Sequence, residues 1–285
     1  MLWAIEILVL KRIDSWGLGF ILGALALITH RSLNDRSGLL LLVIAAVCWL
    51  GCWLNDYYDA SFDRCDAAKA RLNLFARYAV PPALVWAPVG LILTATTLAL
   101  ASFGWRGWLV LLVNLLLMWS YSAPPLRLKS RPGLDLLFHA LFAQPWLYGI
   151  CLWVTGAAWT ALDQIVVCLL FLTSLSGQLN QQIRDFELDS RTDVNFTTRF
   201  GLVNALRLLK VSSSGAVLFS LGCLALGSLP LSLLPLCLLA LPKLAHHLRY
   251  TRRNVSRAYP SWMIYVSMLL ALAYTGVLMV ASWPL

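Results

Sequence analysis

Long apolar stretches, each about the length of a membrane crossing, alternate with short charged connectors along this chain. Nine such segments stand out, at residues 14–30, 38–55, 80–103, 107–122, 134–156, 162–183, 204–228, 230–248 and 262–283. A crossing needs roughly 20 apolar residues. Lipid cannot satisfy open backbone N–H and C=O groups, so each segment is predicted to be a helix. Segments seven and eight are separated only by Ser228-Leu229-Pro230. No stretch between the segments is long enough for a separate soluble domain. The reading is therefore one all-α, polytopic membrane domain over residues 1–285.

Composition agrees with that pattern. The chain is 60% hydrophobic and only 12% charged, about half the roughly 25% charged residues of soluble proteins. Mean hydropathy is +0.76. A disordered chain and an ordinary soluble enzyme are both excluded. The net charge of +9 would raise nucleic acid as a partner in a soluble protein. Here the positive residues lie in connectors, so they read as topology, and no nucleic-acid partner is expected. Of the 22 Lys and Arg residues, 19 fall on the side of the N-terminus and only Arg31, Arg36 and Arg106 on the other. That asymmetry puts the N-terminus in the cytoplasm and the C-terminus outside, in a multi-pass protein of the cell's inner membrane. The seven cysteines form no CxxC pair and no zinc-spaced cluster, and read as small buried side chains.

The acidic residues break the topological pattern. Eight of the 13 lie in two short clusters on the cytoplasmic side. The first runs Asn55-Asp56-Tyr57-Tyr58-Asp59-Ala60-Ser61-Phe62-Asp63, with Asp66 beyond, where segment two ends. At 100° per residue, Asp56, Asp59 and Asp63 fall within about 60° of one another on a helix. The second is at the end of segment six, where Asp185, Asp189 and Asp193 follow Gln178, Asn180, Gln181 and Gln182. These three carboxylates lie within about 80° if the helix continues. Like charges at this spacing repel, and a carboxylate in the membrane costs roughly 2.5–3.5 kcal/mol. Both stripes therefore call for a compensating cation. Mg²⁺ takes one or two carboxylates and leaves other positions to substrate phosphates, which makes a Mg²⁺–diphosphate a fitting occupant. The other reading is two solvated acidic helices matched by nearby Arg and Lys.

A third element lies on the same side: Tyr121-Ser122-Ala123-Pro124-Pro125-Leu126-Arg127-Leu128-Lys129-Ser130-Arg131-Pro132-Gly133. Its prolines end segment four and stiffen the connector. Arg127, Lys129 and Arg131 are alternating cations suited to diphosphate oxygens that a metal leaves uncovered, or they are topological charge alone.

Together these residues resemble the UbiA superfamily of intramembrane prenyltransferases. Asn55-Asp56-x-x-Asp59-x-x-x-Asp63 is similar to its first aspartate motif. Asp185-x-x-x-Asp189, followed by Thr197, Thr198 and Gly201, is similar to the second. Tyr121-Ser-x-Pro-Pro-x-Arg127-x-Lys129 is similar to the connector between them. The resemblance covers nearly the whole chain. It implies a nine-helix bundle around a central cavity and a pair of Mg²⁺ ions. Asn55, Asp56, Asp59, Asp63, Asp185 and Asp189 would be the metal ligands, with the five aspartates catalytic. An isoprenyl diphosphate would bind against Asn55, Tyr121, Arg127 and Lys129, and its allylic carbon would pass to a hydrophobic acceptor: an aromatic, a quinone precursor, a pigment or a lipid. Trp53, Tyr57, Tyr58 and Phe62 are the aromatic faces nearest the motifs, available for cation–π contact with a carbocation.

The chain departs from the family at two places. Relatives carry an Arg-Pro pair shortly after the first motif, whereas this chain reads Lys69-Ala70-Arg71-Leu72-Asn73. Lys69 and Arg71 are the substitutes expected for diphosphate contact. Relatives have Gly where this chain has Asp193, so Asp193 is set aside as a ligand. His139 reads as a bundle histidine, and His246 and His247 as interfacial residues. Arg249, Arg252, Arg253, Arg257 and Tyr259 read as a membrane-surface patch. Two rival functions remain. An intramembrane terpene cyclase would ionise the same donor without an external acceptor. A cation transporter would place acids near mid-membrane and repeat half of its sequence, whereas this chain keeps its clusters on one face.

Overall fold

The computed structural model describes residues 12–65, 67–251 and 261–283, apart from the side chains of residues 68, 69, 72, 192 and 261. All regular structure among the described residues is helical. Contacts group the chain into two compact units, with α8 and α14 below contributing to both.

The first unit takes the described residues of Met1–Arg127, Ile150–Ala157 and Tyr274–Leu285. Helix α1 (Ile13–Thr29) packs along α2 (Asp35–Asp63). Asn34 caps α2 reciprocally: its side chain accepts from Ser37 N at 2.9 Å, and its own N–H donates to Ser37 Oγ at 2.8 Å. Gly19 and Gly23 let α1 come close, since a Cβ at either would lie 2.6 Å from Cys48 Sγ or 2.7 Å from Leu41 Cδ2. Short helices α3 (Ala67–Leu72) and α4 (Leu74–Arg77) fold back on the end of α2. Helices α5 (Pro82–Ala101) and α6 (Trp105–Ser122) form a hairpin. Leu50, Trp53, Phe75, Val85 and Val89 make the apolar core where α2, α4 and α5 meet.

The turn of that hairpin leaves no room for a side chain. A Cβ on Gly107 would lie 1.9 Å from the backbone oxygen of Leu100. Backbone cannot yield as a flexible side chain does, so Gly107→Ala should lower stability by about 1–3 kcal/mol, the usual cost of overpacking. Thermal unfolding in detergent checks this against Gly90→Ala, where nothing lies within 4 Å. Equal melting of the two variants would show that the α5–α6 approach is not tight.

The second unit takes the described residues of Leu128–Gly149 and Ala158–Ala273. A single 3-10 turn (Leu128–Ser130) leads to α7 (Leu134–Phe142) and α8 (Pro145–Thr155), which are bent by 43° to one another. The chain continues through α9 (Ala161–Arg184), α10 (Phe186–Thr192), α11 (Phe196–Phe200) and α12 (Leu202–Ala225). A second 3-10 turn (Leu231–Leu233), α13 (Leu234–Leu248) and α14 (Ser261–Ser282) complete it. Helix α9 packs on α7 and α12, and α12 packs on α13. The start of α9 is fixed by Asp163, which accepts from Thr160 N at 2.6 Å, Thr160 Oγ1 at 2.7 Å and the Tyr148 hydroxyl at 2.6 Å.

A helix lies in each of the nine apolar segments. Among the described residues, six are long and apolar enough to cross a membrane, and the bent α7–α8 pair makes a seventh if it is one span. The chain is a multi-pass membrane protein. Helix α2, at 29 residues, is about 43 Å long at 1.5 Å per residue. That exceeds the roughly 30 Å of bilayer hydrocarbon, so its last turns can stand clear of lipid. Those turns carry the first acidic cluster.

Candidate functional site

Asn55, Asp56, Asp59 and Asp63 all lie on α2, so the helical stripe expected from their spacing is formed. Two arginines answer its charge. Arg12, just before α1, forms an ion pair with Asp56. Arg127 donates from Nη2 to Asp59 Oδ1 at 3.4 Å, and its guanidinium sits 4.6 Å from the centroid of the Phe62 ring. Arg127 holds this position through a left-handed backbone (φ 37°) and an N–H bond to Ala123 O at 2.9 Å. Pro124–Pro125, just before it, is a cis peptide. Ser122, next to the half-buried Tyr121, donates to Asn55 Oδ1 at 3.4 Å. The first part of the connector, Ser122 to Arg127, therefore meets the first motif within one unit.

The third carboxylate is held by a residue that no sequence motif marks. Asn73 is buried and donates from Nδ2 to both Asp63 Oδ2 and the Asp56 carbonyl, each at 2.8 Å. Its Oδ1 accepts from Phe75 N at 2.9 Å and Ala76 N at 3.2 Å, capping α4. Arg64 secures the other end of α4 by donating to the carbonyls of Phe75 and Ala76. Of the expected substitutes for the missing Arg-Pro pair, Arg71 is exposed on α3. The side chain of Lys69 lies outside the described residues, as do Arg252, Arg253, Arg257 and Tyr259.

Beside the motif, Arg12, Trp49, Cys52, Trp53, Asp56, Leu74 and Phe75 line a small recess that is open to the outside. Trp53 is a packing residue here: it is buried and donates to Val85 O at 3.0 Å. Tyr57 meets Tyr58, Phe75 and Trp86 edge-on and stays 37% exposed, so it keeps surface available to a ligand.

The second cluster differs from the continuous helix its spacing implied. The chain turns at Asp185 (φ −90°, ψ 2°), between α9 and α10. The one-turn ladder nevertheless survives, with Asp189 N donating to Asp185 O and Asp193 N donating to Asp189 O, both at 2.8 Å. Asp193 is already extended at the end of α10, and its Oδ1 accepts from Val194 N at 2.8 Å. Asp189 Oδ2 accepts from Asn195 Nδ2 at 2.8 Å. Asn195 in turn caps α11 in a reciprocal pair with Thr198. Lys129 sits on the 3-10 turn Leu128–Ser130, half-buried. His139 is held by Ser174, as expected of a bundle histidine. His247 corrects the interfacial expectation: it is fully buried, with Nδ1 3.0 Å from Ser213 Oγ.

The donor chemistry fits a hard divalent cation. Oxygen donors cluster on one helix face, and two guanidinium groups stand in as cations against Asp56 and Asp59. Among the described residues no three His, Cys, Asp or Glu side chains converge as a closed metal cage. Mg²⁺ does not require one, because it is bound through one or two carboxylates while water and phosphate complete its octahedron.

The family model described as the UbiA prenyltransferase family matches residues 17–272. A lycopene elongase/hydratase from Corynebacterium glutamicum is 31% identical over 106 residues, 36% of this chain and 36% of that relative. The chain thus spans about a third of the length of the curated relative it matches. Among solved structures, a UbiA homolog from Archaeoglobus fulgidus bound to GPP and Mg²⁺ covers 96% of this chain and 98% of its own, with a TM-score of 0.70 at 20% identity. The same homolog bound to DMAPP and Mg²⁺ gives 0.69 at 19% identity over the same shares. At these identities the structural likeness establishes the fold.

Proposed function

The chain belongs to the UbiA prenyltransferase family, and on that basis we propose that it transfers an isoprenyl group from an isoprenyl diphosphate to a hydrophobic acceptor within the membrane. The observation that carries this reading is the acidic stripe of α2, which runs unbroken to Asp63 and so sets Asp56, Asp59 and Asp63 on one helix face at the end of a long apolar span. Asn55, Asp56, Asp59 and Asp63 would hold one Mg²⁺, and Asp185 and Asp189 a second. When bound, Mg²⁺ neutralises charge that grows on the departing diphosphate. Arg12 and Arg127 would turn to diphosphate oxygens once their carboxylates engage metal, and Lys129 is the further cation proposed for the donor. The allylic C–O bond breaks with its electron pair leaving on diphosphate. The acceptor attacks the resulting carbocation and loses a proton. Tyr57 and Tyr58 would offer aromatic faces to that cation, as would Phe62 once Arg127 has turned away from it. The 19-to-3 division of Lys and Arg supports a cytoplasmic N-terminus and active site, with the C-terminus outside.

Purified protein incubated with Mg²⁺, a panel of isoprenyl diphosphates and a panel of acceptors tests the reading by mass spectrometry of the lipid extract. Lycopene belongs among the acceptors, beside aromatic acids and quinone precursors, because one relative is a lycopene elongase/hydratase. The expected product is an acceptor heavier by one isoprenyl unit, absent when EDTA is added. A cyclic hydrocarbon formed without acceptor would identify a cyclase instead. Failure to consume any donor would overturn the proposal.

A further inference from the structure

Behind the second motif lies a buried polar network made of residues from three separate helices of one unit. Asp135, in the first turn of α7, is fully buried. Its Oδ2 accepts from Gln182 Nε2 at 2.6 Å and from Phe196 N at 2.8 Å. Gln182 lies in the last turn of α9, three positions before Asp185. Its Oε1 accepts from Thr197 N at 3.2 Å and Thr197 Oγ1 at 3.0 Å. Gln182 and Thr197 are buried as well. Phe196 and Thr197 are the first residues of α11, so the network occupies amide groups that no intrahelical carbonyl can satisfy. The residue just before them, Asn195, donates to Asp189. On the other side, Asp135 N donates to Arg131 O at 3.0 Å, which ties the network to the connector carrying Lys129.

We infer that Asp135 is a positioning residue for the second aspartate motif: acting through Gln182 and the start of α11, it fixes Asn195 and thereby the carboxylate of Asp189. A carboxylate buried in an apolar bundle is costly without a role, and this one spends its hydrogen bonds on the chain that flanks the motif. Partners that orient a metal-binding side chain set its affinity, and losing one typically costs about 10- to 100-fold. The inference rests on the prenyl-transfer reading for the importance of Asp189, but it makes a separate claim about metal affinity.

The test is a Mg²⁺ titration of thermal stability at fixed inorganic diphosphate, with donor turnover measured on the same preparations. Asp135→Ala should raise the Mg²⁺ midpoint by about ten-fold or more. Asp135→Asn keeps an oxygen that can accept from Gln182 and Phe196, and should return the midpoint close to wild type. Asn195→Ala should reproduce the Asp135→Ala shift, and the double variant should add little to either. If Asp135→Ala does not fold, the Asn195→Ala midpoint decides. An unchanged midpoint in Asn195→Ala or in folded Asp135→Ala overturns the inference, as does a wild-type chain whose melting ignores Mg²⁺. Wild-type protein that binds Mg²⁺ with the predicted midpoints but turns over no donor overturns the transferase reading and supports the network.

Discussion

Asp59→Ala and Asp185→Ala should each cut diphosphate release by about 10²- to 10⁴-fold, with the protein still folded. The figure corresponds to ~3–5 kcal/mol of lost leaving-group stabilisation, a range expected when a metal-held charge is removed from the transition state. Unfolding is not the expected cause. The Arg127–Asp59 contact is long, at 3.4 Å, and so weaker than a well-formed ion pair. Asp59→Ala also removes a like charge from the stripe it shares with Asp56 and Asp63, which offsets part of that loss. Melting temperature and turnover measured together separate the two effects. EDTA should have the same consequence as the substitutions. Wild-type turnover in EDTA, or in the Asp59→Ala/Asp185→Ala double variant, would sink the metal-dependent reading.

The parts of this site that follow helical spacing were legible in the sequence. Asp56, Asp59 and Asp63 share a face because α2 runs unbroken to Asp63. The residues that hold them come from distant parts of the chain, and periodicity has no access to those. Arg12 counts as one topological charge among many until the fold brings it to Asp56, 44 positions away. Asn73 lies within the stretch that departs from the family, where the cations Lys69 and Arg71 carry the stronger chemical signal. The carboxamide does the linking because it can donate to Asp63 and accept from α4 at once. For Asn195 a local signal existed: Asn195-x-x-Thr198 has the spacing of a reciprocal helix cap. Asp135 was also findable, as the one acid in the apolar segment 134–156. The turn at Asp185 was not, because Phe186 to Thr192 resumes helical geometry at once and the composition shows no proline or glycine at the break. His247 read as interfacial because Arg249 follows it closely. Its neighbour in space is Ser213 on α12, which draws it into the bundle.

Lys129→Ala should lower kcat and weaken donor binding while leaving acceptor KM nearly unchanged. An ammonium directed at the diphosphate stabilises charge that is larger on the leaving group than on the bound donor, so its loss appears in turnover as well as in affinity. Removing one such contact costs on the order of 2–4 kcal/mol, or roughly 30- to 1,000-fold in rate. Arg127→Ala is the comparison. As a topological charge alone, Arg127 would be lost at little cost. Its contacts with Asp59 and Phe62 change that expectation. Arg127→Ala should also weaken donor binding and, in addition, should alter the Mg²⁺ dependence of turnover, because a cation that competes for Asp59 has been removed. Arg127→Lys should recover only part of the donor affinity, since an ammonium keeps the charge but not the planar face that lies over Phe62. Donor titrations at several fixed Mg²⁺ concentrations distinguish the two cations. Wild-type donor kinetics in Lys129→Ala would leave membrane topology as a sufficient reason for its charge. An Arg127→Ala enzyme with unaltered Mg²⁺ dependence would reduce the Asp59 contact to resting-state neutralisation.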